Sequence, residues 1–330
     1  MREIRGKVVV ITGASSGIGR ATALELASRG ANLVLVSRDA RELAVVAREC
    51  EAAGSGRALV AAADVTDAEQ VQAVAPVALA AFGRIDVWIN NAAVALFAKF
   101  EDAPLHAYRR VIETNLFGYI HGARTAMRLF KLQHSGILIN IDSVVAGAPQ
   151  PYTSAYVASK YAVRGWSSCL RMELSLEHEH DIHVCAVLPA AIDTPLFQHA
   201  ANYTGRAVKA LDPVYSTEKV ARAIAGVIEH PRAEVVVGRA GVVMMANATM
   251  SPRIYEKVMA RQIDRNHLQD KPAPATDGNL YAPKGPKSVD GGWRRKGTIT
   301  AEVRRNGWAV AIGGAALLAA ITLTVSRRVK

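Results

Sequence analysis

Tyr156 and Lys160, in the run Tyr152-Thr-Ser-Ala-Tyr-Val-Ala-Ser-Lys160, stand four residues apart, a spacing that stacks two side chains on one face of a helix. A free phenol has a pKa of about 10 and is a poor base at neutral pH, but a fixed cation beside it favours the phenolate. The pair is therefore a usable proton donor and acceptor. Alone, the spacing is shared with many helices on which the tyrosine packs and the lysine is solvated, so its meaning depends on its company. A second stretch with chemical content is Thr12-Gly-Ala-Ser-Ser-Gly-Ile-Gly19, which follows one apolar run and opens a helical one. Its glycines allow a tight turn and a close backbone approach to a pyrophosphate, and the free N–H groups of a helix N-terminus attract negative charge. Gly13, Ser15, Ser16, Gly17, Ile18 and Gly19 thus read as a dinucleotide cradle. The spacing is Gly-x-x-x-Gly-x-Gly, and no Gly-Lys-Ser/Thr follows, which argues against a P-loop. An ordinary tight turn is the alternative.

These residues need a scaffold, and short β-branched runs alternating with longer amphipathic stretches supply one. Strands are expected at 8–12, 31–37, 57–62, 86–90, 136–141, 183–188 and 234–237. Helices are expected at 17–29, 41–53, 68–82, 105–131, 154–179 and 217–229, with a further helical region at 241–269. Gly30 stands where a C-cap glycine belongs. The pattern predicts an α/β fold, a Rossmann-like, doubly wound, seven-stranded parallel sheet with helices on both faces. At the end of the second strand, where an acidic residue would hold the ribose 2′-hydroxyl of NAD, the chain has Ser37 and Arg38. An arginine there pairs instead with the 2′-phosphate of NADP. The other reading of Arg38 is a solvated residue at a helix start, beside Asp39 and Arg41.

With 330 residues, half of them hydrophobic, the chain is long enough for one large domain with appendages. Cys50, Cys169 and Cys185 are too few and too scattered for a disulfide framework or a structural zinc site, which fits a reducing, cytosol-facing compartment. No apolar run near the start is long enough for a signal peptide. The net charge is +11, and residues 284–330 supply +8 of it. A basic tail suits nucleic acid or an anionic membrane surface. The membrane is favoured, because residues 308–325 carry no charge and have arginines on either side. Eighteen residues span roughly 27 Å as a helix, just short of a hydrocarbon core of about 30 Å; a buried or surface-lying helix is the alternative. Past Asp270 the composition turns to Lys-Pro-Ala-Pro-Ala-Thr-Asp-Gly and Ala-Pro-Lys-Gly-Pro-Lys, the signature of an extended linker. The expected organisation is a catalytic domain at 1–270, a linker at 271–306 and a membrane anchor at 307–330, with no nucleic-acid partner. Glu177-His-Glu-His180 with His183 is set aside as a metal site, since histidines at i and i+2 do not share a helix face. Met244 and Met245 read as core, or as a pliable pocket lid.

Taken together and in order, these segments resemble the short-chain dehydrogenase/reductase family over about residues 5–265. The 12–19 loop looks like its cofactor loop, Asp64-Val65 like its adenine-contacting pair, and Asn90-Asn-Ala-Ala93 like its Asn-Asn-Ala-Gly motif, which adds Asn90 and Ala92 to the cofactor residues. Asn115, Ser143, Tyr156 and Lys160 match its catalytic set, with Ser143 thirteen residues before Tyr156. Pro189, Ile192 and Thr194 match its segment beside the cofactor. Ala93 and Ala190 stand where the family more often has glycine, and an alanine is tolerated only where φ is negative and there is room for a methyl group. The resemblance implies that Tyr156 exchanges a proton with a substrate oxygen, that Ser143 donates a hydrogen bond to that oxygen, and that Lys160 depresses the tyrosine pKa and holds the nicotinamide ribose. It further implies that Asn115 anchors a water leading to Lys160, and that the chain forms a homo-oligomer. The resulting expectation is an NADP(H)-dependent oxidoreductase interconverting a carbonyl and an alcohol on an apolar small molecule. An NAD(H)-linked alcohol dehydrogenase and a catalytically idle dinucleotide sensor are the alternatives.

Overall fold

The computed structural model describes residues 3–285 and 287–294. The seven expected strands form: β1 (Val8–Thr12), β2 (Asn32–Ser37), β3 (Ala58–Ala62), β4 (Val87–Asn90), β5 (Gly136–Ile141), β6 (Ile182–Pro189) and β7 (Glu234–Val237). They pair in parallel in the order β3-β2-β1-β4-β5-β6-β7. The strand order reverses between β1 and β4, and in open parallel sheets the crevice beyond the carboxyl ends at such a reversal is where ligands bind. The connecting helices are α1 (Gly17–Ser28), α2 (Ala40–Ala53), α3 (Ala68–Phe82), α4 (Leu105–Ile112), α5 (Gly118–Gln133), α6 (Ser154–Leu176), the single turn α7 (Leu196–His199), α8 (Thr217–Glu229), α9 (Arg239–Met250) and α10 (Pro252–Asn266).

The central strands are mostly apolar because both faces of the sheet are covered there. Val9, Ile11, Leu33 and Leu35 point to one side, where they meet Leu26 of α1, Leu43 and Val46 of α2, and Ile224 of α8. Val10, Val34, Val36 and Trp88 point to the other, against Val71 and Val74 of α3, Phe130 of α5 and Leu174 of α6. Side-chain alternation along each strand produces this division. Three helix starts are capped by side chains: Asp39 accepts from the Glu42 N–H, Asp67 from Glu69 and Gln70, and Ser216 from Lys219.

Three expectations need correction. The single helix at 105–131 is interrupted by a π-helical turn, Glu113–Phe117, before α5 begins. Asn115 in that turn is fully buried; its Oδ1 accepts from the Val94 N–H at 2.9 Å and its Nδ2 donates to the Val94 carbonyl at 2.9 Å. The helical region at 241–269 is two helices, since Ser251 precedes Pro252 and is driven out of the helical region, to φ −144°.

The third correction is that the chain does not become an unpacked linker at Asp270. The compact unit runs over Met1–Trp293. Leu268–Pro272 pairs antiparallel with Arg206–Val208, Thr276 pairs with Asn202, and Leu280 is fully buried. Proline and glycine limit regular structure there, but they do not forbid packing. The expected anchor at 307–330 lies outside the described residues. Among the described residues no helix is long and apolar enough to cross a membrane.

Candidate active site

A cleft lies over the carboxyl ends of the strands, on both sides of the β1/β4 reversal. At its floor, Thr12 ties the two strands together: its hydroxyl donates to the Ile89 carbonyl and accepts from the N–H groups of Asn91 and Ala92. Asn91 adds hydrogen bonds to the carbonyls of Thr12 and Gly13. Gly13 and Gly17 hold φ of +68° and +53°, a region that side chains avoid. A Cβ on Gly13 would lie 2.8 Å from Ala92 Cα, and one on Gly19 would run into the Gly13 carbonyl oxygen. Backbone this close, at the N-terminus of α1, is a cradle for an anion. Gly13, Ser15, Ser16, Gly17 and Ile18 line the cleft; Gly19 lies beneath it and permits the turn.

Toward β2 and β3 the cleft is walled by Ser37, Arg38, Asp64 and Val65. Arg38 is not a solvated helix-start residue. Its guanidinium donates to the carbonyls of Asn279 at 2.8 Å and Leu280 at 3.1 Å. The Asp64 carboxylate is held by Arg110 at 2.6 Å and by the Thr66 N–H and hydroxyl; these contacts outweigh its burial and keep its pKa below the ordinary value.

On the other side stand Ser143, Tyr156 and Lys160. Ser143 follows β5 and faces Tyr156 from the start of a short 3-10 turn. Tyr156 and Lys160 are successive turns of α6, and the ammonium lies 5.6 Å from the Tyr156 ring centre. Lys160 is 1% exposed, and its Nζ donates to the Ile141 carbonyl at 2.7 Å and to the Tyr119 hydroxyl at 3.4 Å. Burial pulls its pKa down to about 8, and the Asp142 carboxylate opposes that. Burial pushes the Tyr156 phenol above its ordinary value, the Asp142 carboxylate adds to this, and only the hydrogen bond from Ser143 works the other way. The expected depression of this phenol by Lys160 is therefore not found. With the ammonium anchored to Ile141 and Tyr119, desolvation dominates.

The structure brings Arg38, Asp64, Val65, Ala92, Ser143, Tyr156, Lys160, Pro189, Ile192 and Thr194 to the cleft wall, together with the 13–18 loop. It does not bring Asn90 or Asn115 there. Asn90 is wholly buried, giving its Nδ2 to Tyr119 and Asn140 and accepting from Trp88 Nε1. Asn115 is committed to Val94 and Ser159. Ala93 and Ala190 both keep φ out of the positive region, so neither replacement of glycine strains the backbone.

Two residues escaped the sequence reading. Tyr119, one turn past Asn115, donates to the Ile141 carbonyl at 2.9 Å, so Lys160 and Tyr119 share one acceptor. Asp142, immediately before Ser143, is 3% exposed, lines the cleft, and neither of its carboxylate oxygens finds a well-formed hydrogen bond among the described residues. Burial pushes its pKa up to about 7, while the charge of Lys160 pulls the other way. Both sit one step from a residue already singled out, and adjacency was the available signal.

The rest of the cleft, beyond Tyr156, is mostly apolar: Phe97, Leu196, Phe197, Leu211, Pro213 and Met244 line it, with Gln150, Thr153 and Asp212 among them. His267 joins this wall, edge-on to Phe97 and Phe197, and burial pulls its pKa down to about 4, so it is neutral. Among the described residues no group of three or more histidine, cysteine or carboxylate side chains is placed to hold a metal.

The profile of the family described as short chain dehydrogenase matches residues 7–204. The chain belongs to that family. This short chain dehydrogenase is 32% identical over 284 residues to the uncharacterized oxidoreductase YxnA of Bacillus subtilis (strain 168), an alignment covering 85% of this chain and 79% of that one. Among solved structures it resembles a short chain dehydrogenase/reductase from Burkholderia phymatum in complex with NAD, at TM-score 0.70 and 26% identity over 78% of this chain and 97% of that one. It also resembles an alcohol dehydrogenase from the archaeon Thermococcus sibiricus complexed with 5-hydroxy-NADP, at TM-score 0.61 and 26% identity over 70% and 96% of the two chains.

Proposed function

We propose that this short chain dehydrogenase interconverts a ketone or aldehyde and an alcohol on an apolar substrate, with NADP(H) as cofactor. One observation carries the reading: the glycine cradle of α1 and the Ser143–Tyr156–Lys160 group line the same cleft, which continues into an apolar chamber. The cradle fits a dinucleotide, since Gly13 and Gly17 line the cleft without side chains at the N-terminus of α1, whose dipole attracts a pyrophosphate. When bound, the nicotinamide would supply the hydride. The protein's part is to deliver the proton. A phenol held above its ordinary pKa stays protonated at neutral pH and donates to the oxygen on which charge develops. Ser143 orients that oxygen and stabilises its charge. Lys160, anchored on Ile141 and Tyr119, keeps a positive charge near the phenol as its proton leaves. Asn115 is a positioning residue in this scheme: through Val94 and Ser159 it fixes the cleft wall and the helix carrying Tyr156. Consumption of NADPH with a panel of apolar ketones and aldehydes tests the activity, and no turnover with any of them would favour a sensor.

Arg38 supports NADP over NAD, because a guanidinium at the end of β2 matches a 2′-phosphate. The NAD-linked reading has its own support, in that two Arg38 N–H groups are already given to Asn279 and Leu280. Replacing Arg38 with alanine is expected to raise the NADPH dissociation constant by about tenfold or more, the worth of a charge-assisted pair, with little change for NADH. Nicotinamide fluorescence titration measures both. Tighter binding of NADH than NADPH by the unaltered protein would reverse the assignment.

The C-terminal segment at 308–325 extends this proposal to a membrane tether, supported by its uncharged run between arginines. Removing residues 300–330 is expected to abolish sedimentation with anionic vesicles while leaving dinucleotide binding intact. Unchanged sedimentation would end the tether.

A further inference from the structure

The segment read as a linker crosses the adenosine end of the cleft, and the cleft's own donors hold it there. Arg38 donates to the carbonyls of Asn279 and Leu280, and Arg110 Nε donates to the Leu280 carbonyl at 3.0 Å. Farther along, the Gly17 N–H donates to the Ser288 carbonyl at 3.0 Å and Arg20 to the Lys287 carbonyl at 2.8 Å. Leu280 anchors the crossing, packed with Val94, Leu96 and Val111. The far end is fastened to the loop after β6: Asp193 accepts from the Trp293 N–H at 2.8 Å, and Trp293 Nε1 donates to the Thr194 carbonyl at 2.9 Å.

Two polar side chains of this segment face inward. Asn279 lines the cleft, and its Oδ1 is buried with no hydrogen-bond partner among the described residues. Lys287 also lines the cleft, with its Nζ 3.8 Å from the carboxylate of Asp39, the residue after Arg38. At this end two carboxylates, Asp39 and Asp64, would repel a phosphate. Arg110 neutralises Asp64 and Lys287 neutralises Asp39, which leaves the charge of Arg38 uncompensated.

We propose that residues 278–285 and 287–293 are a strap forming the outer wall of the dinucleotide site, with Asn279 and Lys287 as cofactor-contacting residues. Asn279 Oδ1 accepts from an N–H or O–H of the adenosine half. Lys287 offsets the carboxylate of Asp39, so that a 2′-phosphate beside Arg38 meets a net positive charge. The Lys287 assignment rests on the NADP reading above; the strap itself requires only a bound dinucleotide. Because Asn279 and Lys287 belong to the strap and would touch the ligand, a bound dinucleotide closes it more firmly.

Hydrogen exchange on the full chain, with and without saturating NADPH or NADH, reads the strap directly. Amides of 278–293 are expected to exchange about tenfold more slowly with the dinucleotide bound. Lys287→Met is expected to raise the NADPH dissociation constant about tenfold and the NADH constant less than twofold. Asn279→Ala is expected to weaken both cofactors, and Lys284→Met, an exposed lysine of the same strap, neither. Unchanged or faster strap exchange in the presence of a tightly bound dinucleotide overturns the strap and leaves the Arg38 reading standing. Preference for NADH, together with slowed strap exchange, overturns the roles of Arg38 and Lys287 and upholds the strap. An NADPH constant that Lys287→Met leaves unmoved, with the thermal midpoint unchanged, overturns the Lys287 assignment alone.

Discussion

Tyr156→Phe is expected to lower the maximal rate of carbonyl reduction by about a thousandfold, within the range that a positioned general acid contributes. The substitution removes one hydroxyl and keeps the ring, which packs at the edge of the cluster formed by Val94, Leu96, Ala155 and Leu280. Folding and cofactor binding should therefore be little altered, with an NADPH dissociation constant within about twofold of the parent. Steady-state turnover, fluorescence titration and a thermal melt separate these effects. A rate within tenfold of the parent would show that the proton comes from elsewhere, and equal rates would favour a site that does no chemistry through this residue.

Lys160→Met is expected to cost about a hundredfold in turnover and to remove a pH dependence that the parent shows. Burial lowers the Lys160 pKa to about 8, so the ammonium is charged at neutral pH and loses its proton as the pH rises through that value. Reduction by the parent should accordingly be sustained below about 8 and fall above it, and the methionine variant should lack this alkaline limb. Asp142 provides a second arm. Its carboxylate raises the lysine pKa, so Asp142→Asn leaves the ammonium more easily deprotonated and shifts the limb to lower pH. The same change removes a carboxylate that raises the Tyr156 phenol, making it the stronger acid. Profiles of turnover against pH for the three proteins decide the matter. A limb that stays in place in Asp142→Asn would mean that the two buried groups do not communicate.

The buried carboxylate of Asp142 was invisible beforehand for a simple reason. Its type suggests solvent, and only the closing of β5, α6 and β6 around it removes that solvent. The same holds for the Tyr156 phenol. Spacing along α6 correctly puts Lys160 one turn away, yet the effect of the lysine depends on where the ammonium points, and Ile141 and Tyr119 decide that. Asn90 and Asn115 illustrate the converse. Both stand in motifs that suggested contact with a ligand or water, but their amides are committed to the scaffold.

What could be read from the order of residues was whatever short-range chemistry dictates. The seven apolar runs, the glycine turn into α1 and the Tyr156–Lys160 spacing all express preferences that act over a few residues, and each reappears in the fold. What folding alone settled were matters of long-range encounter: which face Arg38 presents, how far burial outweighs a neighbouring charge, and whether a stretch without periodicity packs. Residues 278–293 carry no repeating pattern for a helix or a strand. They find their place because Gly17, Arg20, Arg38 and Arg110, more than 160 residues earlier in the chain, hold donors out to their carbonyls.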